Sequence, residues 1–240
     1  MRKLLLLPLL WLALCGAITR DFDGVDDSIA SAYTTAYPST YSISVWINPD
    51  TLGETAGRIT TRLDLDMFFI ANDTGSTTIE FLRFNHEFTG TDGQWSTNTL
   101  TGAPLDAWSH WVVTFDSSSA SNNPVWWKNG ASFTTFTETS TPTLADADNT
   151  SEIFIGNNDA ADRSWDGSIY FLSVYDHILT AAEVSIVYYQ PEFAVGLLYQ
   201  VPVWESSGNE KDLAGGLAGT VTGLTSRTDS PPVMIGVHMV

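Results

Sequence analysis

Apolar and polar positions alternate most regularly in Tyr41-Ser-Ile-Ser-Val-Trp-Ile-Asn-Pro49. A strand turns successive side chains to opposite faces. Ile43, Val45 and Ile47 therefore share one face, and Ser42, Ser44 and Trp46 the other. Pro49 cannot donate to a ladder and ends the strand. A second stretch starts at the turn signal Asp166-Gly167. Ile169 and Phe171 fall on one face there, and Val174 is out of phase unless a bulge lies near Leu172-Ser173. Thr180-Ala-Ala-Glu183 then predicts a capping box. The Thr180 hydroxyl accepts from the Glu183 backbone, and the Glu183 side chain reaches back. A short helix over 181–188 follows, stopped by Pro191.

Further strands are predicted over 58–61, 67–71, 78–84, 94–99, 106–116 and 152–156. Asn129-Gly130 marks a two-residue hairpin after Val125-Trp126-Trp127-Lys128. Ser, Thr, Asn and Gly fill the spaces between apolar runs, the texture of an all-β protein with many short strands. A chain of 240 residues is long enough for one large β-sandwich, or for one domain and an appendage.

The net charge of −18 repels phosphate backbones and anionic lipid, which argues against nucleic acid or an acidic membrane as partner. Residues 1–17 are different in kind. Arg2 and Lys3 give a basic start, an apolar run over 4–14 is too short to span a bilayer, and Gly16-Ala17 ends it with small residues. This reads as a signal peptide, with lipid attachment at Cys15 or an uncleaved anchor as alternatives. Cys15 is the only cysteine, so cleavage would leave no disulfide, no thiol chemistry and no transmembrane span.

Several segments carry a family pattern in order: Phe22-Asp-Gly-Val-Asp-Asp-Ser-Ile29, Trp108-Ser-His-Trp-Val-Val-Thr-Phe-Asp116, Trp126-Trp-Lys-Asn-Gly130, Ile153-Phe-Ile-Gly156, and Gly167-Ser-Ile169 through Leu179-Thr-Ala-Ala-Glu183. Over roughly residues 20–189 the chain resembles the laminin-G-like domains of the concanavalin A-like lectin/glucanase superfamily. The resemblance implies a jelly-roll sandwich of two antiparallel sheets with one short helix after the last core strand. It divides the chain into a leader (1–17), a jelly-roll domain (18–190) and a Gly/Pro-rich extension (191–240) of one or two strands. It also implies that Trp126 points inward and Trp127 outward, and that His110 is structural, its nitrogens satisfied by backbone. Tyr170 and Phe171 stand where the family commonly has Asp-Glu, which removes an acid that often ligates calcium.

The candidate ligand-binding residues are Trp127, Trp95, Asn157, Asn158 and Asp159. Trp127 is a candidate platform for a pyranose. Trp95 is either exposed or folded back on the core, and Asn157, Asn158 and Asp159 lie in a polar loop. Asp23, Asp26 and Asp27 are candidate oxygen ligands for calcium, the alternative being a solvated acidic turn. Hydrolases of this fold carry Glu-x-Asp-x-Glu or Glu-x-Asp-x-x-Glu, and the chain has neither; Asp64-Leu-Asp66 lacks the glutamates. Gly-x-Ser-x-Gly, Walker and His-Glu-x-x-His motifs are missing, and four scattered histidines give no zinc spacing. The expectation is an exported, non-catalytic binding or adhesion module, secreted or on a cell surface, recognising glycan or a surface protein. The alternatives are a self-assembling structural protein, such as a virion or surface-layer component, and an atypical hydrolase.

Overall fold

The computed structural model describes residues 18–54, 57–62, 70–71, 81–98, 102–147, 150–216 and 218–232. The expected leader, Asp64-Leu-Asp66 and parts of the strands predicted over 67–71, 78–84 and 94–99 lie outside the described residues. In chain order the strands begin with β1 (Thr19–Asp23), β2 (Ser28–Ser31), β3 (Thr40–Pro49), β4 (Gly57–Arg58), β5 (Thr60–Thr61) and β6 (Ile70–Ala71). Next come β7 (Arg83–His86), β8 (Gly93–Thr97), β9 (Ser109–Asp116), β10 (Val125–Lys128), β11 (Ala131–Phe133) and β12 (Phe136–Ser140). The last are β13 (Phe154–Ile155), β14 (Asp166–Tyr175), helix α1 (Ala181–Tyr189), β15 (Leu197–Val201), β16 (Glu210–Lys211), β17 (Ala218–Thr222) and β18 (Thr225–Arg227).

An eight-stranded sheet runs β11-β10-β9-β3-β14-β1-β18, with β15 also on β14. The other layer comprises a five-stranded sheet, β16-β17-β2-β13-β5, and a three-stranded sheet, β12-β8-β7. Side chains from these sheets meet in one core: Ile43, Val45, Ile47, Val113 and Ile169 from the large sheet, and Ile29, Phe84, Trp95 and Ile155 from the others. The alternation in β3 thus has its physical basis. Its Ile/Val face is buried in the sandwich, and Trp46 lies in a separate cluster on the other side. The Asn129-Gly130 hairpin forms as expected, with φ of 51° and 76°. The capping box between Thr180 and Glu183 is also present.

The bulge in β14 falls one residue earlier than expected. Tyr170 pairs with Trp46 and Ser173 with Ser44, so Phe171 and Leu172 together oppose Val45. Phe171 takes a φ of 45°. The extra residue puts Leu172 and Val174 in the core with Ile169 and sends Phe171 to the outer cluster, away from the face Ile169 shares.

Among the described residues, the segment after Pro191 contributes four strands where one or two are expected. Strand β1 covers only the first half of one β14 edge (Asp23↔Asp166 to Arg20↔Ile169), and β15 pairs with the rest (Leu172↔Val201 to Tyr175↔Leu197). An unpaired half-edge on a buried ten-residue strand is a demand for a partner, and the extension meets it. Strand β17 pairs with β2, and β18 with β1. Arg20 Nε lies 2.6 Å from Glu210 Oε1, both side chains almost fully buried, which ties the first strand to the extension.

Helix α1 covers the outer face of the large sheet. Val184 and Val187 pack on Val112, Tyr175 and Leu179. Tyr188 stacks on Trp46 at 5.1 Å. No helix among the described residues is long and apolar enough to cross a membrane.

Candidate functional site

In the three-stranded sheet, Phe84 and His86 of β7 point inward and Arg83 and Asn85 outward, as strand alternation requires. Arg83 pairs with Ser96 of β8, and Ser96 with Thr137 of β12, which makes one outward rung. A groove of about 350 Å³ lies along this rung, lined by Phe81, Arg83, Ser96, Thr97, Asn98, Thr137 and Thr139. The Arg83 side chain is held at its base: its Nε donates to Ser96 Oγ at 3.1 Å, and the guanidinium carbon sits 5.3 Å from the Phe81 ring centroid. Burial lowers its pKa. Thr137 Oγ1 donates to Asn98 Oδ1 at 2.9 Å, and Thr139 Oγ1 to the Gln94 carbonyl at 3.3 Å. At the far end of β7 from this rung, His86 points into the core. His86 bonds Tyr41 Oη at 2.8 Å and Asp146 Oδ1 at 2.7 Å.

Trp95 is fully buried, which removes it as a ligand platform. It stands on β8 at a position that must face inward, and its indole N–H donates to Asn123 Oδ1 at 2.6 Å. A Cβ at Gly93 would come within 2.2 Å of its ring, so glycine makes its room. Trp126 is buried and Trp127 faces the other way, as the family register implies. Yet Trp127 packs against the cluster under α1, and its indole nitrogen is shut off from solvent. Part of its ring is taken up by this packing, which leaves it half-buried.

Asn157 and Asn158 are buried and serve their own loop. Asn157 Nδ2 donates to Ser164 Oγ at 2.8 Å, and its Oδ1 accepts from the backbone of Asn158 and Arg163. Asn158 exchanges hydrogen bonds with Asp162. Of the three loop candidates only Asp159 is exposed. His110 is buried as expected, but its Nε2 bonds Ser44 Oγ at 2.8 Å and no backbone group. The Ser44 hydroxyl points outward beside it on β3 and reaches the ring first. Lys128 is half-buried, its Nζ donating to the Gly102 carbonyl at 2.9 Å.

Asp23, Asp26 and Asp27 do come together, each offering a carboxylate oxygen within 4.8 Å of the others. Asp27 Oδ2 accepts from the Asp23 backbone, and Asp23 Oδ1 from that of Val25. Burial, and then the neighbouring Asp23, Asp26 and Asp21, raise the Asp27 pKa, against the lowering effect of its backbone hydrogen bond. An all-oxygen, mutually repelling set suits a hard cation, and these three would supply part of the six to eight oxygens that calcium takes. Tyr170 and Phe171 lie in the outer aromatic cluster and offer nothing to a metal.

The groove escaped sequence reasoning because its residues come from three strands and individually look like ordinary polar positions. Arg83, between Leu82 and Phe84, was the one available signal.

A laminin-G-type family profile, described as the concanavalin A-like lectin/glucanases superfamily, matches residues 23–185. No curated protein sequence matches the chain. Among solved structures, a candidate carbohydrate-binding protein from Bacteroides ovatus aligns with a TM-score of 0.63 at 18% identity over 92% of this chain. The chain spans 62% of that structure's length. Domain 4 of an extracellular arabinanase from Geobacillus stearothermophilus, solved with arabinotriose, aligns with a TM-score of 0.48 at 18% identity, over 69% of this chain and 73% of that one. The LG4-5 domains of the mouse laminin alpha1 chain align with a TM-score of 0.45 at 13% identity, over 66% and 46%.

Proposed function

The chain belongs to the concanavalin A-like lectin/glucanases superfamily, and from that premise we propose that it is an exported, non-catalytic module that binds carbohydrate in the groove over β7, β8 and β12. The observation that carries this reading is the groove's lining: one aromatic ring, one guanidinium, four hydroxyls and one amide, with no carboxylate among the described residues. A pyranose has an apolar side that Phe81 can face, and hydroxyls that Ser96, Asn98, Thr137 and Thr139 can bond. Glycoside hydrolysis generally uses two carboxyl groups flanking the scissile bond. A lining without them can hold a sugar but lacks the acid and the nucleophile to cleave it. The basic start and apolar run of residues 1–17 support export.

The test is a glycan array on residues 18–240, run with calcium and again with EDTA. Specific binding is expected, lost in Thr137→Trp, which fills the groove, and retained in Trp127→Ala. A blank array under both conditions, or binding indifferent to Thr137→Trp, sinks the reading. Loss of binding in EDTA would assign the cation role to Asp23, Asp26 and Asp27.

A further inference from the structure

We propose that the groove selects a saccharide bearing a single carboxylate, of the uronic- or sialic-acid kind, and that Arg83 is the residue that selects it. The proposal rests on the groove being the sugar site. The chain carries 28 acidic and 10 basic residues, and three other arginines are matched to acids. Arg20 pairs with Glu210, Arg163 with Asp162, and Arg227 with Asp21 and Asp50. Arg83 has no carboxylate partner among the described residues. Its one hydrogen bond there is from Nε to Ser96, which leaves the two terminal amino groups unbonded at the groove.

A guanidinium that is partly buried without a counter-charge has lost water and gained nothing equivalent in return. Burial is the cause that lowers its pKa. Two parallel N–H···O bonds to a carboxylate would satisfy the free end of the fork, a geometry arginine suits and a point charge does not. Phe81 lies 5.3 Å from the guanidinium carbon, and Thr137 and Asn98 line the same groove, within reach of a bound sugar's hydroxyls.

The net charge of −18 sets the limit on the ligand. Repulsion between exposed charges is largely screened beyond about 8 Å at physiological ionic strength, while a contact pair in a groove is screened much less. One carboxylate seated on Arg83 therefore gains more than it loses. A polysulfated chain lays many charges against acidic surface and loses with each.

The experiment is calorimetric titration of the full chain with two matched pairs: 3′-sialyllactose against lactose, and a glucuronate-capped xylotriose against xylotetraose. At least one carboxylated probe is expected to bind tenfold or more tightly than its neutral match. Arg83→Gln should reduce that advantage to within twofold, and Arg83→Lys should keep part of it. Thr137→Trp should abolish binding of every probe. Thermal melts confirm that each variant is folded. If neutral and carboxylated probes bind alike, Arg83→Gln changes nothing and Thr137→Trp still blocks, the acid preference is overturned and the groove stands. If no probe binds, or Thr137→Trp does not block, both readings fall. Tighter binding of heparin than of either carboxylated probe overturns the choice of a single carboxylate.

Discussion

Across the large sheet, the outward rung His110–Trp46–Tyr170 is aromatic and lies beneath Tyr188 of α1, with Trp108 and Trp204 packed around it. Across the three-stranded sheet, the outward rung Arg83–Ser96–Thr137 is polar and lines an open groove. Both rungs stand on the same sandwich, and each belongs to a strand whose other face is core. The difference shows that an abundance of aromatic side chains on an outer face marks the face a helix will cover. The face open to a ligand is the one that can afford to stay wet. Trp127, on the covered face, is half-buried for the same reason as Trp46: the apolar area belongs to α1.

Three substitutions bear on this contrast, in falling order of effect on stability. Trp46→Ala on the covered face should cost about 3–5 kcal/mol, the usual range for emptying a buried tryptophan site. That corresponds to a fall in Tm of roughly 6–20 °C in a protein of this size, at about 2–4 °C per kcal/mol. A calorimetric melt within a degree or two of wild type would mean the face is not sealed.

The next is pH. Burial lowers the His110 pKa from its ordinary 6.5 to about 3. The unfolded chain therefore takes up this proton first as pH falls. The His110 contribution is complete above about pH 6.5 and is lost progressively toward pH 3, at up to about 1.4 kcal/mol per pH unit. Between pH 6.5 and pH 5 this amounts to about 2 kcal/mol. Urea melts of His110→Gln should show a shallower pH slope across that window. An unchanged slope would place the acid sensitivity elsewhere, with Asp146 as the next group to examine, since hydrogen bonds from His86 and Ser117 lower its pKa against the opposing effect of burial.

The smallest stability effect belongs to the open face. Thr137 is exposed, and Thr137→Ala should stay within about 0.5 kcal/mol while weakening glycan binding. A large drop in Tm would show that this rung is structural after all, and the two faces would then differ less than their residues suggest.

What could be read along the chain was what depends on near neighbours. The Ile43/Val45/Ile47 face, the Asn129-Gly130 turn and the Thr180–Glu183 cap are each decided within a few residues, because strand period, turn dihedrals and capping bonds are local. The opposed directions of Trp126 and Trp127 followed from the same period. The family order of these segments then implied the jelly roll. The site was less legible. Asp23, Asp26 and Asp27 could be grouped from sequence because one turn holds them. For Trp95 the second of its two readings, folded back on the core, holds. The Asn157–Asn158 pair turns inward, which was not legible because the text of a loop does not say which side chains fold back to satisfy it.

The pattern of residues by itself therefore determined the long strand β3 with its inward face, the hairpin turn after β10 and the short helix, and the order of family-like segments pointed to the superfamily. Only the tertiary structure decided which outer face is covered, that the extension completes β14 and holds Glu210 against Arg20, and that Arg83 lines one groove with Thr137 and meets no acid among the described residues. Those outcomes depend on segments far apart in the chain, whose contacts are set by which apolar areas and unpaired backbone edges remain to be buried once the local elements have formed.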